Sequence, residues 1–99
     1  MKILKIKVSG KVQGVHFRES TKGVADLLKI KGWIRNHSEG HVLMEVGGDP
    51  IALEEFLNWC HEGPDRAKVE NVIVEELAIS DISQIPGLKN PFLNFEILR

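Results

Sequence analysis

The chain contains 99 residues, of which 42% are hydrophobic and 27% are charged, and its formal net charge is -1. A chain of this length and composition folds around one hydrophobic core, so we expect a single domain over residues 1–99 and exclude a disordered chain. The nearly neutral charge argues against a nucleic-acid partner, because proteins that bind nucleic acids usually present a strongly basic face.

The first residues predict a strand. Leu4, Ile6 and Val8 alternate with lysines, and a period of two is typical of a strand that has one face in the core. The same lysines interrupt the continuous apolar run that a signal peptide would need. We therefore expect a cytoplasmic protein that has no membrane partner.

The apolar spacing then changes to that of a helix. One helical stripe is formed by Phe17, Thr21, Val24, Ala25 and Leu28. This stripe predicts a helix over residues 18–30. We expect Gly32 to end that helix in the left-handed conformation, because glycine adopts a positive φ at little cost.

A β-hairpin is predicted next. Strand patterns over residues 33–36 and 41–46 are separated by residues 37–40, whose composition is typical of a turn. Gly40 can adopt the positive φ that a short hairpin loop often requires. We therefore expect these two strands to pair with each other.

A second helix is predicted from its caps. Asp49 can accept a hydrogen bond at the helix start, and Pro50 needs no backbone donor at the first helical position. Gly63 and Pro64 are expected to end this helix. Cys60 lies on its apolar stripe, and we interpret it as a small buried hydrophobic residue rather than a reactive thiol.

The last third of the chain predicts two more strands. The change of phase between Val69 and Val72 indicates a bulge in the fourth strand. Residues 80–91 are expected to form a connecting loop, and residues 95–99 a short last strand. The order of elements predicts an α+β fold of the ferredoxin-like type, a βαββαβ sandwich whose antiparallel sheet carries two helices on one face.

A turn with two glycines, Gly10 and Gly14, connects the first strand to the first helix. Backbone N–H groups of such a turn can converge on one phosphate group at the positive end of the helix dipole. Arg18 follows in the first helical turn, where a cation is unfavourable unless an anion binds nearby. We call this candidate phosphate-binding segment the cradle, and it comprises Val12, Gln13, Gly14, Val15, His16, Phe17 and Arg18.

Three segments of the chain resemble the acylphosphatase family. They are residues 10–18 (GKVQGVHFR), residues 32–36 (GWIRN) and residues 63–69 (GPDRAKV). The resemblance implies a small, cytoplasmic, monomeric enzyme that hydrolyses acyl phosphates to a carboxylate and inorganic phosphate without a metal or another cofactor. It also implies that Arg18 binds the phosphate, that Asn36 positions the attacking water and that inorganic phosphate inhibits the enzyme.

The residue types are compatible with this chemistry. Because the leaving group is a carboxylate, the reaction needs charge stabilisation and a placed water rather than a strong acid. The cradle amides and the guanidinium of Arg18 can stabilise the phosphoryl oxygens. Asn36 is not basic, so we expect it to orient the water, and neighbouring Arg35 is expected to point to the opposite sheet face. The acyl group, the proton acceptor and the role of His16 stay open.

A metal site is not expected. The histidines are His16, His37, His41 and His61. They form no zinc-binding pair on a predicted helix, and a single cysteine offers no thiolate cluster. One departure from the family pattern is Lys29, which stands where a glycine is common near the end of the first helix.

Two other functions stay open. The domain can be a module that binds an anion without turnover, or a domain for carbamoyl transfer within a larger protein, although no further domain is expected after Arg99. An RNA-binding module is not favoured, because the central strands carry Lys5, Leu43 and Glu45 rather than stacking aromatic residues.

Overall fold

The computed structural model describes residues 2–81 and 93–98. In chain order it contains strand β1 (Lys2–Lys11), helix α1 (Phe17–Leu27), strand β2 (Lys31–Asn36), strand β3 (Val42–Gly48), helix α2 (Pro50–Glu62), strand β4 (Lys68–Glu76), a 3-10 turn (Ile79–Asp81) and strand β5 (Phe95–Leu98). This order confirms the predicted βαββαβ arrangement with a short C-terminal strand. From residue 82 onward the predicted loop lies outside the described residues, as does Arg99.

The five strands form one sheet in the order β4-β1-β3-β2-β5. Strand β1 is antiparallel to both β3 and β4, and β2 is antiparallel to β3. This part of the sheet confirms the predicted ferredoxin-like fold. Strand β5 adds to the edge of β2 in the parallel direction, so that Leu98 pairs with Arg35 and the sheet as a whole is mixed.

Both helices pack on the same face of the sheet. Leu4, Ile6 and Val8 of β1 belong to one buried cluster together with Ala25 of α1 and Phe56 of α2. Alternation along β1 places these side chains on one face, which the apolar stripes of both helices then cover. Within the described residues, no helix is both long and apolar enough to cross a membrane.

The predicted bulge in the fourth strand is confirmed. Ser9 pairs with Asn71, but the next residue of β1, Gly10, pairs with Val69, which leaves Glu70 as the extra residue. Gly10 has a φ of 123°, and a Cβ atom there would overlap the carbonyl oxygen of Lys68. Glycine is therefore required where β1 passes the bulge and enters the cradle.

The end of helix α1 differs from the prediction. The helix ends at Leu27 rather than at residue 30, and Lys29 takes the left-handed conformation with a φ of 58°. The N–H of Ile30 donates to the carbonyl of Ala25 at 2.8 Å, and the N–H of Lys29 donates to that of Asp26 at 3.3 Å. These two bonds form a Schellman motif, in which glycine is usual at the position that Lys29 occupies.

Gly32 was therefore wrongly predicted to end the helix. It lies inside β2, pairs with Val46 and has a φ of 137°. A Cβ atom at Gly32 would overlap the carbonyl oxygen of Glu45, so the residue is needed for close approach of the two strands. The apolar stripe did not reveal the helix end, because Ile30 reaches the core from beyond it.

Helix α2 begins and ends as predicted. The Oδ1 atom of Asp49 accepts a hydrogen bond from the backbone N–H of Ile51 at 3.3 Å, and Pro50 occupies the first helical position. Gly63 follows the helix with a φ of 69°, and its N–H donates to the carbonyl of Trp59. Local cap chemistry thus determined both boundaries.

Candidate functional site

The cradle forms an irregular turn between the end of β1 and the start of α1. Gly14 and His16 both adopt positive φ values, 74° and 61°. Val12 and Val15 are buried in the core, whereas Gly14 and His16 are exposed. The apolar side chains therefore anchor the turn from below while its backbone stays at the protein surface.

Helix α1 starts at the cradle without a side-chain cap. His16 is the N-cap residue, and its side chain makes no capping hydrogen bond. The first intrahelical bond of this turn runs from the N–H of Ser20 to the carbonyl of His16 at 3.1 Å. The N–H groups before Ser20 have no partner inside the helix, and together with the helix dipole they form a site suited to an anion.

Arg18 lies in this first turn and is partly buried. Its Nη1 atom donates to the carbonyl oxygen of Leu98 at 3.2 Å. Because Leu98 pairs with Arg35, this bond holds the guanidinium beside the C-terminal end of β2. Within the described part of the chain, Arg18 forms no ion pair with a carboxylate.

Asn36 is the last residue of β2 and lies on the sheet face that carries the helices. Ile34, two residues earlier, is fully buried in the core, and Arg35 between them is exposed, with its guanidinium 5.5 Å above the Trp33 ring centroid. The prediction that Arg35 and Asn36 point to opposite faces of the sheet is confirmed. The Oδ1 atom of Asn36 is buried, and within the described residues it has no hydrogen-bond partner. A buried amide oxygen of this kind is suited to accept a bond from a small O–H donor.

Gln13 makes contacts that the sequence did not reveal. Its Nε2 atom donates to the carbonyl oxygens of His37, at 2.7 Å, and of His41, at 3.0 Å. These bonds join the cradle to the two ends of the turn between β2 and β3. No local pattern signals these bonds, since His37 and His41 lie 24 and 28 residues after Gln13 in the chain.

Together these contacts place Asn36 next to the cradle. Gln13 bonds to His37, the residue after Asn36. Arg18 bonds to Leu98, which pairs with Arg35, the residue before Asn36. The cradle is thus bonded directly to the residue after Asn36, and Arg18 is bonded to the strand β5 residue that pairs with the residue before Asn36.

The histidines fall into two groups. His16 is exposed in the cradle and His61 is exposed on α2. His37 and His41 lie across the β2–β3 turn with their rings stacked and the ring centroids 4.3 Å apart. Partial burial lowers the pKa of His41, and the nearby His37 and Lys7 lower it further against the opposing effect of Glu39. His37 and His41 are four residues apart in the chain, but a hairpin turn rather than a helix brings their rings together.

Cys60 lies in α2 and is completely buried. Burial raises the pKa of its thiol to about 12. The thiol therefore stays protonated at neutral pH, and the interpretation of Cys60 as a small core residue is confirmed.

Known proteins share both the sequence and the fold. Residues 4–84 match the family model for acylphosphatase. An acylphosphatase from Rubrobacter xylanophilus is 48% identical over 75 residues, which cover 76% of this chain and 68% of that protein. An acylphosphatase structure from Coxiella burnetii superposes with a TM-score of 0.81 at 35% identity, covering 98% of this chain and 92% of the other. The acylphosphatase structure from Bacillus subtilis gives a TM-score of 0.83 at 30% identity, with both chains covered completely. On sequence and structure alike, the chain belongs to the acylphosphatase family.

Proposed function

We propose that this chain is an acylphosphatase, which hydrolyses the carboxyl–phosphate bond of small acyl phosphates and releases a carboxylate and inorganic phosphate. The family membership supports this reaction. The single observation that carries the proposal is the position of Asn36 between the two anchoring contacts of the cradle, made by Gln13 and Arg18. This position supports an active site in which the phosphoryl group in the cradle and a water held by Asn36 are neighbours.

The cradle binds the phosphoryl group in this proposal. Backbone N–H groups between Val12 and Phe17 donate to its oxygens, and the guanidinium of Arg18 adds a bidentate, charge-assisted contact. In the transition state the negative charge of the phosphoryl group is spread over its three equatorial oxygens. Donors that are already in place stabilise this charge without reorganisation.

Asn36 positions the attacking water. Its buried Oδ1 atom accepts a hydrogen bond from the water and fixes the water opposite the leaving carboxylate. The water oxygen bonds to phosphorus, the phosphorus–oxygen bond to the acyl group breaks, and the carboxylate leaves with the electron pair. Since asparagine is not a base, a phosphoryl oxygen takes the proton of the water. Positioning of this kind accounts for a large share of phosphoryl-transfer catalysis.

Further properties belong to the same proposal. The enzyme acts as a cytoplasmic, single-domain monomer and uses no metal or other cofactor for the reaction, since the cradle and Arg18 supply the positive charge. Inorganic phosphate, the product, occupies the cradle and inhibits competitively. The acyl group contributes little to substrate recognition, because the cradle contacts the phosphoryl group that all acyl phosphates share.

The decisive experiment is an assay of chelator-treated protein with acetyl phosphate and benzoyl phosphate, in which released phosphate is measured. We expect hydrolysis well above the spontaneous rate, and loss of that activity in Arg18→Ala protein purified in parallel, which excludes a contaminant. Phosphate binding without hydrolysis in the wild-type protein would instead identify an anion-binding module and would refute the enzymatic function.

A further inference from the structure

Three metal-ligating side chains meet at the turn between β2 and β3, outside the cradle. His37 and His41 flank this turn and Glu39 lies within it, and one potential ligand atom of each residue lies within 4.8 Å of the other two. We propose that the turn binds one divalent transition-metal ion, of the Zn²⁺, Ni²⁺ or Cu²⁺ class, through His37, Glu39 and His41. This ion takes no part in the proposed hydrolysis.

The backbone of the turn is already fixed in a suitable form. The N–H of His37 donates to the carbonyl of His41 at 2.8 Å, and the N–H of Gly40 donates to the carbonyl of His37 at 3.0 Å. The side chain of Gln13 donates to both of these carbonyls as well. Metal binding therefore needs only side-chain rotations, which limits the conformational entropy that is lost.

The donor atoms suit a transition metal. Two imidazoles and one carboxylate form a ligand set that zinc commonly uses with water in the fourth position, and imidazole also suits nickel and copper. The backbone N–H of Glu39 donates to Nδ1 of His37 at 3.1 Å. This bond uses the lone pair of Nδ1 of His37, so metal binding at that atom requires the bond to break. An ion at Nδ1 replaces an N–H that is exposed and can bond to water instead.

The surroundings of the turn are open to a metal ion and partly balance its positive charge. Beside the turn lies an open cleft of about 350 Å³, lined among others by His41, Glu39 and Glu70. Lys7 also lines this cleft and opposes a cation, whereas the carboxylates of Glu39 and Glu70 favour one. Glu70 is the extra residue of the β4 bulge, so the bulge brings a second carboxylate to the same cleft.

The test is a calorimetric titration of tag-free, chelator-treated protein with Zn²⁺, repeated with Ni²⁺. We expect binding of one ion per chain, and affinity weakened about tenfold or more in His41→Ala and in Glu39→Gln. His61→Ala is the matched control, because His61 is exposed on α2 and lies apart from the cluster. Circular dichroism of each variant checks that the fold is retained, and Glu39→Gln keeps the size of an exposed side chain.

A second readout separates this turn from other weak sites. Ring resonances of His37 and His41 should shift on Zn²⁺ addition, while those of His16 and His61 should not. Equal affinity of wild type, His41→Ala and Glu39→Gln would overturn the proposal, as would shifts confined to His16 or His61. Since the ion lies outside the cradle, these outcomes are independent of whether acetyl phosphate is hydrolysed.

Discussion

The two ends of helix α1 use the same unusual backbone conformation for opposite purposes. Within the described residues, His16 at the start and Lys29 after the end are the non-glycine residues with a positive φ, at 61° and 58°. At the C-terminal end, the carbonyls of Ala25 and Asp26 accept hydrogen bonds from the following residues and the helix is closed. At the N-terminal end, no side chain caps the helix.

This difference shows what distinguishes a structural helix end from a binding one. A left-handed residue costs about 1 to 2 kcal/mol outside glycine. At Lys29 the two bonds of the Schellman motif offset this cost. At His16 the N–H groups of the first turn have no partner inside the helix, so we infer that the strain there serves the site rather than the stability of the helix. Substitutions at and around the two ends of α1 test this difference.

The largest effect is expected at the N-terminal end for Arg18→Ala. Loss of a charged donor that is already in place should cost about 3 to 4 kcal/mol of transition-state stabilisation, with a parallel loss of phosphate inhibition. Steady-state assays with benzoyl phosphate measure both kcat/KM and the inhibition by inorganic phosphate.

Lys22→Ala is the matched control for Arg18→Ala. Lys22 lies one turn further along α1, and its Nζ atom donates to the carbonyl of Phe95 at 2.9 Å, as Arg18 does to that of Leu98. We expect Lys22→Ala to lower stability slightly and to leave kcat/KM unchanged. Equal loss of activity in both variants would mean that Arg18 acts only by anchoring β5.

The next largest effect is expected at Asn36, the residue that we propose to position the attacking water. Asn36→Ala should lower kcat about 100-fold, because the attacking water loses its orientation, while phosphate inhibition stays nearly unchanged. Arg35→Ala, on the opposite face of the same strand, should leave kcat at the wild-type level. If phosphate inhibition weakened in step with kcat, Asn36 would be a binding residue instead.

A moderate effect is expected from Gln13→Ala, which cuts the connection between the cradle and the β2–β3 turn. Losing two hydrogen bonds should lower the free energy of unfolding by about 1 to 2 kcal/mol, measured by urea denaturation, and should raise the KM for acyl phosphates. Lys11→Ala changes an exposed neighbour and should alter neither quantity. An unchanged KM in Gln13→Ala would show that the cradle keeps its shape without this connection.

The smallest effect is expected at the closed end of α1. Lys29→Gly should raise the free energy of unfolding by about 0.5 to 1 kcal/mol, a shift of a few degrees in Tm, with unchanged kcat. Lys29→Ala keeps the unfavourable left-handed conformation and should not stabilise. If alanine stabilised as much as glycine, removal of the lysine charge rather than backbone strain would be the cause. Differential scanning calorimetry distinguishes the two.

Much of the fold could be predicted because its signals are local. The alternation of Leu4, Ile6 and Val8 predicted β1, and Asp49 with Pro50 predicted the start of α2. The phase change after Val69 predicted the bulge, since an extra residue must shift the alternation. The end of α1 could not be predicted in the same way, because Ile30 continues the apolar pattern beyond the last helical residue.

The residue types available for the site can be recognised from the sequence: the glycine-containing cradle, Arg18 and Asn36. These depend on short segments whose backbone preferences act within a few residues. Three features depend on tertiary structure: Gln13 bonds to His37 and Arg18 to Leu98, β5 lies parallel to β2, and the rings of His37 and His41 stack. The physical reason is that such contacts join residues far apart in the chain, so they depend on strand pairing and core packing rather than on local preference.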